Sequence, residues 1–171
     1  SGELDFITPA PLQDIDRINR AEGTNVIVAP ALRTIMLGLN QNDKLFDSNL
    51  TEVNPLQDKR VREALWMAID MELIRKKIMR DRSRNSNLLV APPVPGYDAA
   101  LDTRPAADLE QAKAMLAEAG YADGFEVGFD CPNDRYINDE EICQAITSMW
   151  SWLGVKARLN AQTKYKHFEQ V

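Results

Sequence analysis

The segment "GFEVGFDCPNDRYINDEEICQAITSMWSWLGVKARLNA", residues 124–161, constrains the fold more than any other stretch of the chain. Phe125, Val127 and Phe129 alternate with Glu126, Gly128 and Asp130, which gives one apolar and one polar face, the period of a half-buried strand. Ile142, Ala145, Ile146, Met149 and Leu153 then recur at helical spacing until Gly154 supplies a stop. This helix is expected to open at Asn138, with Glu141 three residues on in the manner of a capping box. Val155, Ala157, Leu159 and Ala161 alternate once more. Strand, helix and strand joined by short links make a βαβ unit, whose strands should run parallel. In open α/β sheets ligands gather beyond the carboxyl ends of the strands, and residues 132–137 fall at such an end.

Four residues of that loop are candidate ligand contacts: Asn133, Asp134, Arg135 and Tyr136. Arg135 carries a planar fork of donors that matches a carboxylate, and Tyr136 adds a flat apolar ring with a hydroxyl at its rim. Together they suit a carboxylate-bearing, partly apolar ligand. The same residues also admit a plainer account, in which Asn133, Asp134 and Asn138 form a turn and cap while Arg135 neutralises nearby acids. Spacing alone leaves both open.

The rest of the chain supplies helices. Asp58 precedes a stripe of Val61, Ala64, Leu65, Ala68 and Ile69, and Asp70 can cap a second helix with Leu73, Ile74 and Ile78 inward and Glu72 at its positive end. Asp108 caps a further one, with Gln111 at the capping-box position, Ala112 and Leu116 in its stripe and Gly120 as its stop. Leu12, Ile15 and Ile18 mark a short helix after an extended run over residues 2–8, and "TKYKHFEQV" opens another before the chain stops at Val171. Residues 26–29 and 32–40, where Ile35, Leu37 and Leu39 alternate, predict one long strand broken at Pro30. Residues 85–107 hold Pro92, Pro93, Pro95 and Pro105 without any period, a wrapping loop of the kind that lines sites.

Composition and residue counts narrow the function. A chain of 171 residues that is 44% hydrophobic can build the core of one domain or of one lobe. A net charge of −6 without a long basic run argues against nucleic acid as a partner, and the cations between Arg75 and Arg84 read as the solvated end of a helix. No apolar run approaches the roughly 20 residues that span a bilayer. Cys131 and Cys143 cannot make a four-cysteine zinc site. A bridge between them is within reach of a strand end and a second helical turn, but two separate thiols are the expected state. His167, the one histidine, has no triad partner at a recognisable spacing, and Asp139, Glu140 and Glu141 stand where a helix dipole favours negative charge. Gly120, Gly124 and Gly128 do not form a phosphate loop. Neither an enzyme, a metal nor a cofactor is expected. Of Trp150 and Trp152, which point to different sides of one helix, at most one belongs to the core. The chain opens without a methionine or a leader, so it is expected to be a segment of a longer protein.

Three phrases, "NPLQDKRVREALWMAIDMELIRKKI", "DLEQAKAMLAEAGYADGFEV" and "NDRYINDEEICQAITSMWSWLGVKARL", resemble in the same order the carboxyl-terminal lobe of family 5 extracellular solute-binding proteins, the dipeptide and oligopeptide receptors of ABC importers. "GELDFI" and "LRTIMLGLN" are similar to the stretch in which that family leaves its first lobe and crosses into its last. The resemblance implies an α/β fold, a type II periplasmic-binding-protein-like lobe with a βαβ unit and flanking helices. It further implies that residues 1–40 are the end of a first-lobe segment with its crossing strand, and residues 41–171 a partial carboxyl-terminal lobe. The implied activity is capture of a peptide-like solute in the periplasm by closure of two lobes, and delivery to an ABC permease in the membrane. Arg135 and Tyr136 would by this resemblance face the cleft. Members of the family also take nickel, haem, opines or oligosaccharides. A ligand-sensing domain of a bacterial transcriptional regulator is the alternative on the same fold.

Overall fold

The computed structural model describes residues 4–29, 31–45 and 47–170. In chain order the helices are α1 (Ile15–Arg20), α2 (Lys59–Met67), α3 (Met71–Leu73), α4 (Leu109–Glu118), α5 (Asp139–Ser151) and α6 (Lys164–Gln170), and the strands are β1 (Glu126–Pro132) and β2 (Lys156–Gln162). As the alternation predicts, β1 and β2 pair in parallel, with Val127 opposite Ala157 and Phe129 opposite Leu159. Their crossover is α5, which lays Ile142, Ile146, Met149 and Trp150 into the core while Trp152 stays 56% exposed. Trp150 therefore belongs to the stripe and Trp152 does not. The buried indole stacks on Phe129 at 5.5 Å between ring centroids and donates Nε1–H to the Leu65 carbonyl at 3.0 Å, joining the βαβ unit to α2.

Helix α2 buries Val61, Ala64 and Leu65, and α4 packs on it through Ala112 and Leu116. Each fully buried Val or Leu side chain contributes roughly 1.5–3 kcal/mol relative to exposure. The caps form where expected: Asp58 accepts from Arg60 N–H, Asp70 from Leu73 N–H and Asp108 from Gln111 N–H. Asn54, 5% exposed, ties the turn-rich segment to this layer, because its side chain donates to the carbonyls of Asn40 and Asn42 and accepts from Leu56 N–H.

Two glycines permit a close crossing at the edge of the βαβ unit. Gly124 and Gly154 have φ of +73° and +79°, and a Cβ on Gly124 would lie 2.2 Å from the Gly154 carbonyl carbon. Strand entry and helix exit therefore meet backbone to backbone, which only glycine allows on both counts.

Four expectations are corrected. The strand expected over residues 26–40 forms no ladder among the described residues; Leu32 and Ile35 are 63% and 44% exposed, while Leu37 and Leu39 lie half-buried against the core without a neighbouring strand. Pro30, the first residues of the extended run at 2–8 and Val171 lie outside the described residues. The helix expected from Asp70 to Ile78 becomes a three-residue α3 followed by a π turn, Ile74–Ile78, closed by Met79 N–H on the Ile74 carbonyl at 3.0 Å. Asn138 does not cap α5: it takes φ of +53° and its side chain donates to the Ile78 carbonyl at 2.9 Å. Finally, Cys131 and Cys143 are not separate thiols but a disulfide, with Cα atoms 6.6 Å apart. α5 packs so that its second turn faces the end of β1, which brings the two sulfurs within bonding reach.

Candidate functional site

Residues 133–136 leave β1 at its carboxyl end and are held on two sides. Asn133 N–H donates to the Gln162 carbonyl at 2.9 Å, and the Asp134 carboxylate accepts Lys164 N–H at 2.6 Å, so the loop is tied to the end of β2 and the start of α6. On the other side Asp139 accepts the N–H groups of Arg135 and Tyr136 at 2.9 and 3.0 Å. The structure thus gathers all four predicted residues beside one strand edge, but gives them different work. Asn133 and Asp134 are turn and tether. Arg135 is exposed, and its guanidinium forms no ion pair among the described residues; it lies 5.0 Å from the centroid of the half-buried Tyr136 ring. Such a cation over a ring is partly shielded yet keeps its donors for a carboxylate.

Two features of this end of the sheet had no clear signal in the sequence. Asp139 reads locally as one of three acids in a helical first turn, whereas its carboxylate is buried and turned back toward the loop. Tyr165, 73% exposed at the start of α6, directly follows Lys164, whose N–H the Asp134 carboxylate accepts.

The proline-rich loop lines a different place. With the start of α3 it encloses a groove of about 690 Å³ bordered by Asp70, Glu72, Asn85, Asp102 and Arg104, and none of residues 133–136 borders it. Its charged groups are already engaged. Asp102 has a fully shielded side chain that accepts from Asn87 N–H, the Tyr97 and Ser86 hydroxyls and Arg84. The Asn87 N–H, aided by these other donors, holds its carboxyl below the ordinary range in spite of burial. Arg75 and Lys76 bring Glu72 down to about 2, and burial lowers Arg104, which lies 4.1 Å above the Trp66 ring and donates to the carbonyls of Trp66 and Ile69 at the end of α2. This cluster clasps the loop and closes a helix end. Among the described residues no group of three or more His, Cys, Asp or Glu is arranged to hold a metal, and no helix is long and apolar enough to cross a membrane.

Known proteins share both the sequence and this architecture. The family "Bacterial extracellular solute-binding proteins, family 5 Middle" matches residues 1–170, and the chain belongs to it. Relatives include a protein of Escherichia coli K12 named "Probable deoxycholate-binding periplasmic protein YgiS", 30% identical over 93% of this chain and 28% of its own length. The dipeptide-binding protein of the same strain is 28% identical over 85% of this chain and 26% of its own. Among solved structures, HbpA2 of Haemophilus parasuis superposes with a TM-score of 0.69 at 26% identity, covering 97% of this chain and 31% of that one. The oligopeptide-binding protein AppA of Bacillus subtilis, in complex with a nonapeptide, shares the fold at a TM-score of 0.74 and 19% identity, over 94% of this chain and 32% of that one. The chain therefore spans less than a third of the length of these relatives. Its fold is that of type II periplasmic binding proteins, and YgiS, the dipeptide-binding protein and AppA are each named as binding proteins.

Proposed function

We propose that this chain is part of a two-lobed periplasmic receptor, not an enzyme, that captures a carboxylate-bearing, peptide-like solute and hands it to an ABC permease. In this reading residues 1–40 leave the first lobe and cross into the second, and residues 41–171 build part of the second lobe. Arg135 receives the solute's carboxylate and Tyr136 covers its apolar part, while Asn133 and Asp134 hold the loop. One observation carries the reading: a guanidinium stands exposed at the carboxyl end of a parallel strand, without an ion pair among the described residues, on a loop whose backbone is fixed. The names of relatives lend support, since a dipeptide and deoxycholate both carry a carboxylate. A disulfide at Cys131 and Cys143 suits an oxidising compartment outside the cytoplasm. A solute that touches both lobes stabilises the closed state over the open one, which is how such a receptor would signal occupancy to its permease.

The test uses the intact receptor that carries this chain. Dipeptides, longer peptides, deoxycholate and nickel are screened by thermal shift, and Arg135→Ala is measured against the best solute. A peptide should stabilise the wild type, and the variant should lose about ten- to hundredfold in affinity, the worth of a charged hydrogen bond, with an unchanged melting temperature. Equal affinity would return Arg135 to turn chemistry, and stabilisation by nickel alone would overturn the peptide-like class.

A further inference from the structure

We infer that Asp139 is the positioning residue of this site: its buried carboxylate fixes the backbone of Arg135 and Tyr136 and fills the amino-terminal end of α5, leaving the solute's carboxylate to Arg135. The inference rests on the reading of residues 133–136 as the ligand contact.

Asp139 is 5% exposed and forms no ion pair among the described residues. A carboxylate in that position must be satisfied by donors, or its burial costs several kcal/mol. Those donors are main-chain N–H groups: Oδ2 accepts from Arg135 at 2.9 Å and Tyr136 at 3.0 Å, and Oδ1 from Glu140 at 3.1 Å. An ordinary capping side chain precedes the helix and reaches forward into its first turn. Asp139 instead sits inside the helix and reaches back three and four residues, so two of its three bonds organise the loop rather than the helix.

Neighbouring contacts brace the same loop. The disulfide closes a ring from residue 131 to residue 143 that contains all four loop residues and Asp139. Asn138, in the left-handed region at φ of +53°, is pinned to the Ile78 carbonyl. The side chains of Arg135 and Tyr136 are thus left to meet a ligand from a backbone that need not reorganise, which lowers the ordering cost of binding. Helix amino termini attract anions, but here Asp139 occupies that position and Glu140 and Glu141 follow it. A solute carboxylate is turned away from the helix end and toward the guanidinium.

Two measurements on the intact receptor separate this role from general support of the fold. The first needs no solute: amide exchange at Arg135 and Tyr136 should be slow in the wild type, slow in part in Asp139→Asn, and at least about tenfold faster in Asp139→Ala, the loss of charged hydrogen bonds, with β1 protection kept. Fast exchange in the wild type overturns the inference. The second compares Ala-Phe with its carboxyl-terminal amide by calorimetry. The wild type should prefer the free acid by about tenfold or more, Arg135→Ala should erase the preference, and Asp139→Ala should cut it to a few-fold. Wild-type preference retained in Asp139→Ala but lost in Arg135→Ala defeats the role of Asp139 and leaves the site standing. Preference unchanged in Arg135→Ala defeats the reading of the site itself, as does failure of Ala-Phe and of every longer peptide to bind. In that case exchange alone still decides whether Asp139 holds the loop.

Discussion

Residues 125–129 and residues 35–39 carry the same alternation of apolar and other side chains, yet one run becomes a strand and the other does not. In the first, α5 folds back and delivers β2 as a parallel neighbour, so that Phe125 and Val127 are 3% and 6% exposed. In the second no partner strand forms among the described residues, and Ile35 remains 44% exposed while Leu37 and Leu39 are only half-buried against the core. Period-two alternation states which face a strand would bury; it does not supply the neighbour whose N–H and C=O groups complete the ladder. The βαβ unit carries its own neighbour within about 40 residues, and the amino-terminal arm does not.

The largest effect expected from this difference is at Gly124. Gly124→Ala must place a Cβ against the Gly154 backbone and hold alanine in the left-handed region, which together should cost about 4 kcal/mol of unfolding free energy in a denaturant titration. A loss below about 1 kcal/mol would mean that the strand and helix ends move apart freely, and the tight crossing would not be what keeps β1 and β2 in register.

Next in size is the disulfide. The bridged residues are 12 apart, and closing a loop of that length stabilises the folded state by about 3 kcal/mol in the chain-entropy account. Replacing both cysteines with serine should therefore lower the denaturation midpoint of the βαβ unit and leave the arm as it is. Alkylation of both cysteines in the unreduced, unfolded protein would break the comparison from the other side, by showing that the unit needs no covalent brace.

What could be read from residues alone follows the same division. Helix α4 was legible because stripe, cap and stop agree, with Asp108, Ala112, Leu116 and Gly120 all pointing to one helix; α2 showed stripe and cap, and α5 stripe and stop, although its expected cap, Asn138, does not form. The loop was legible as a place, since strand polarity puts residues 133–136 at a carboxyl end. Its holding was not. Asp139 reaching back to Arg135, Asn138 turned left-handed toward Ile78, and the meeting of Cys131 with Cys143 all depend on how α5 lies against β1 and the π turn, a tertiary fact with no local signature. The extended arm failed for the opposite reason: its pattern was clear, and no partner strand forms among the described residues.

The smallest effect sharpens the comparison furthest. Ile27 and Met36 are 85% and 68% exposed, so Ile27→Ser and Met36→Ser in the 171-residue chain should each change unfolding free energy by less than about 0.5 kcal/mol, as exposed substitutions do. In the intact receptor, where we propose that the arm crosses between lobes, the same serines would replace buried side chains and should each cost about 2 kcal/mol. The pair of measurements separates two causes of exposure. If the cost appears only in the intact receptor, the alternation in residues 26–40 is a strand pattern waiting on chain from elsewhere, governed by the same burial rule as β1. If both contexts are neutral, Ile27 and Met36 are covered by neither lobe, and only the face of the arm that carries the half-buried Leu37 and Leu39 holds structural information.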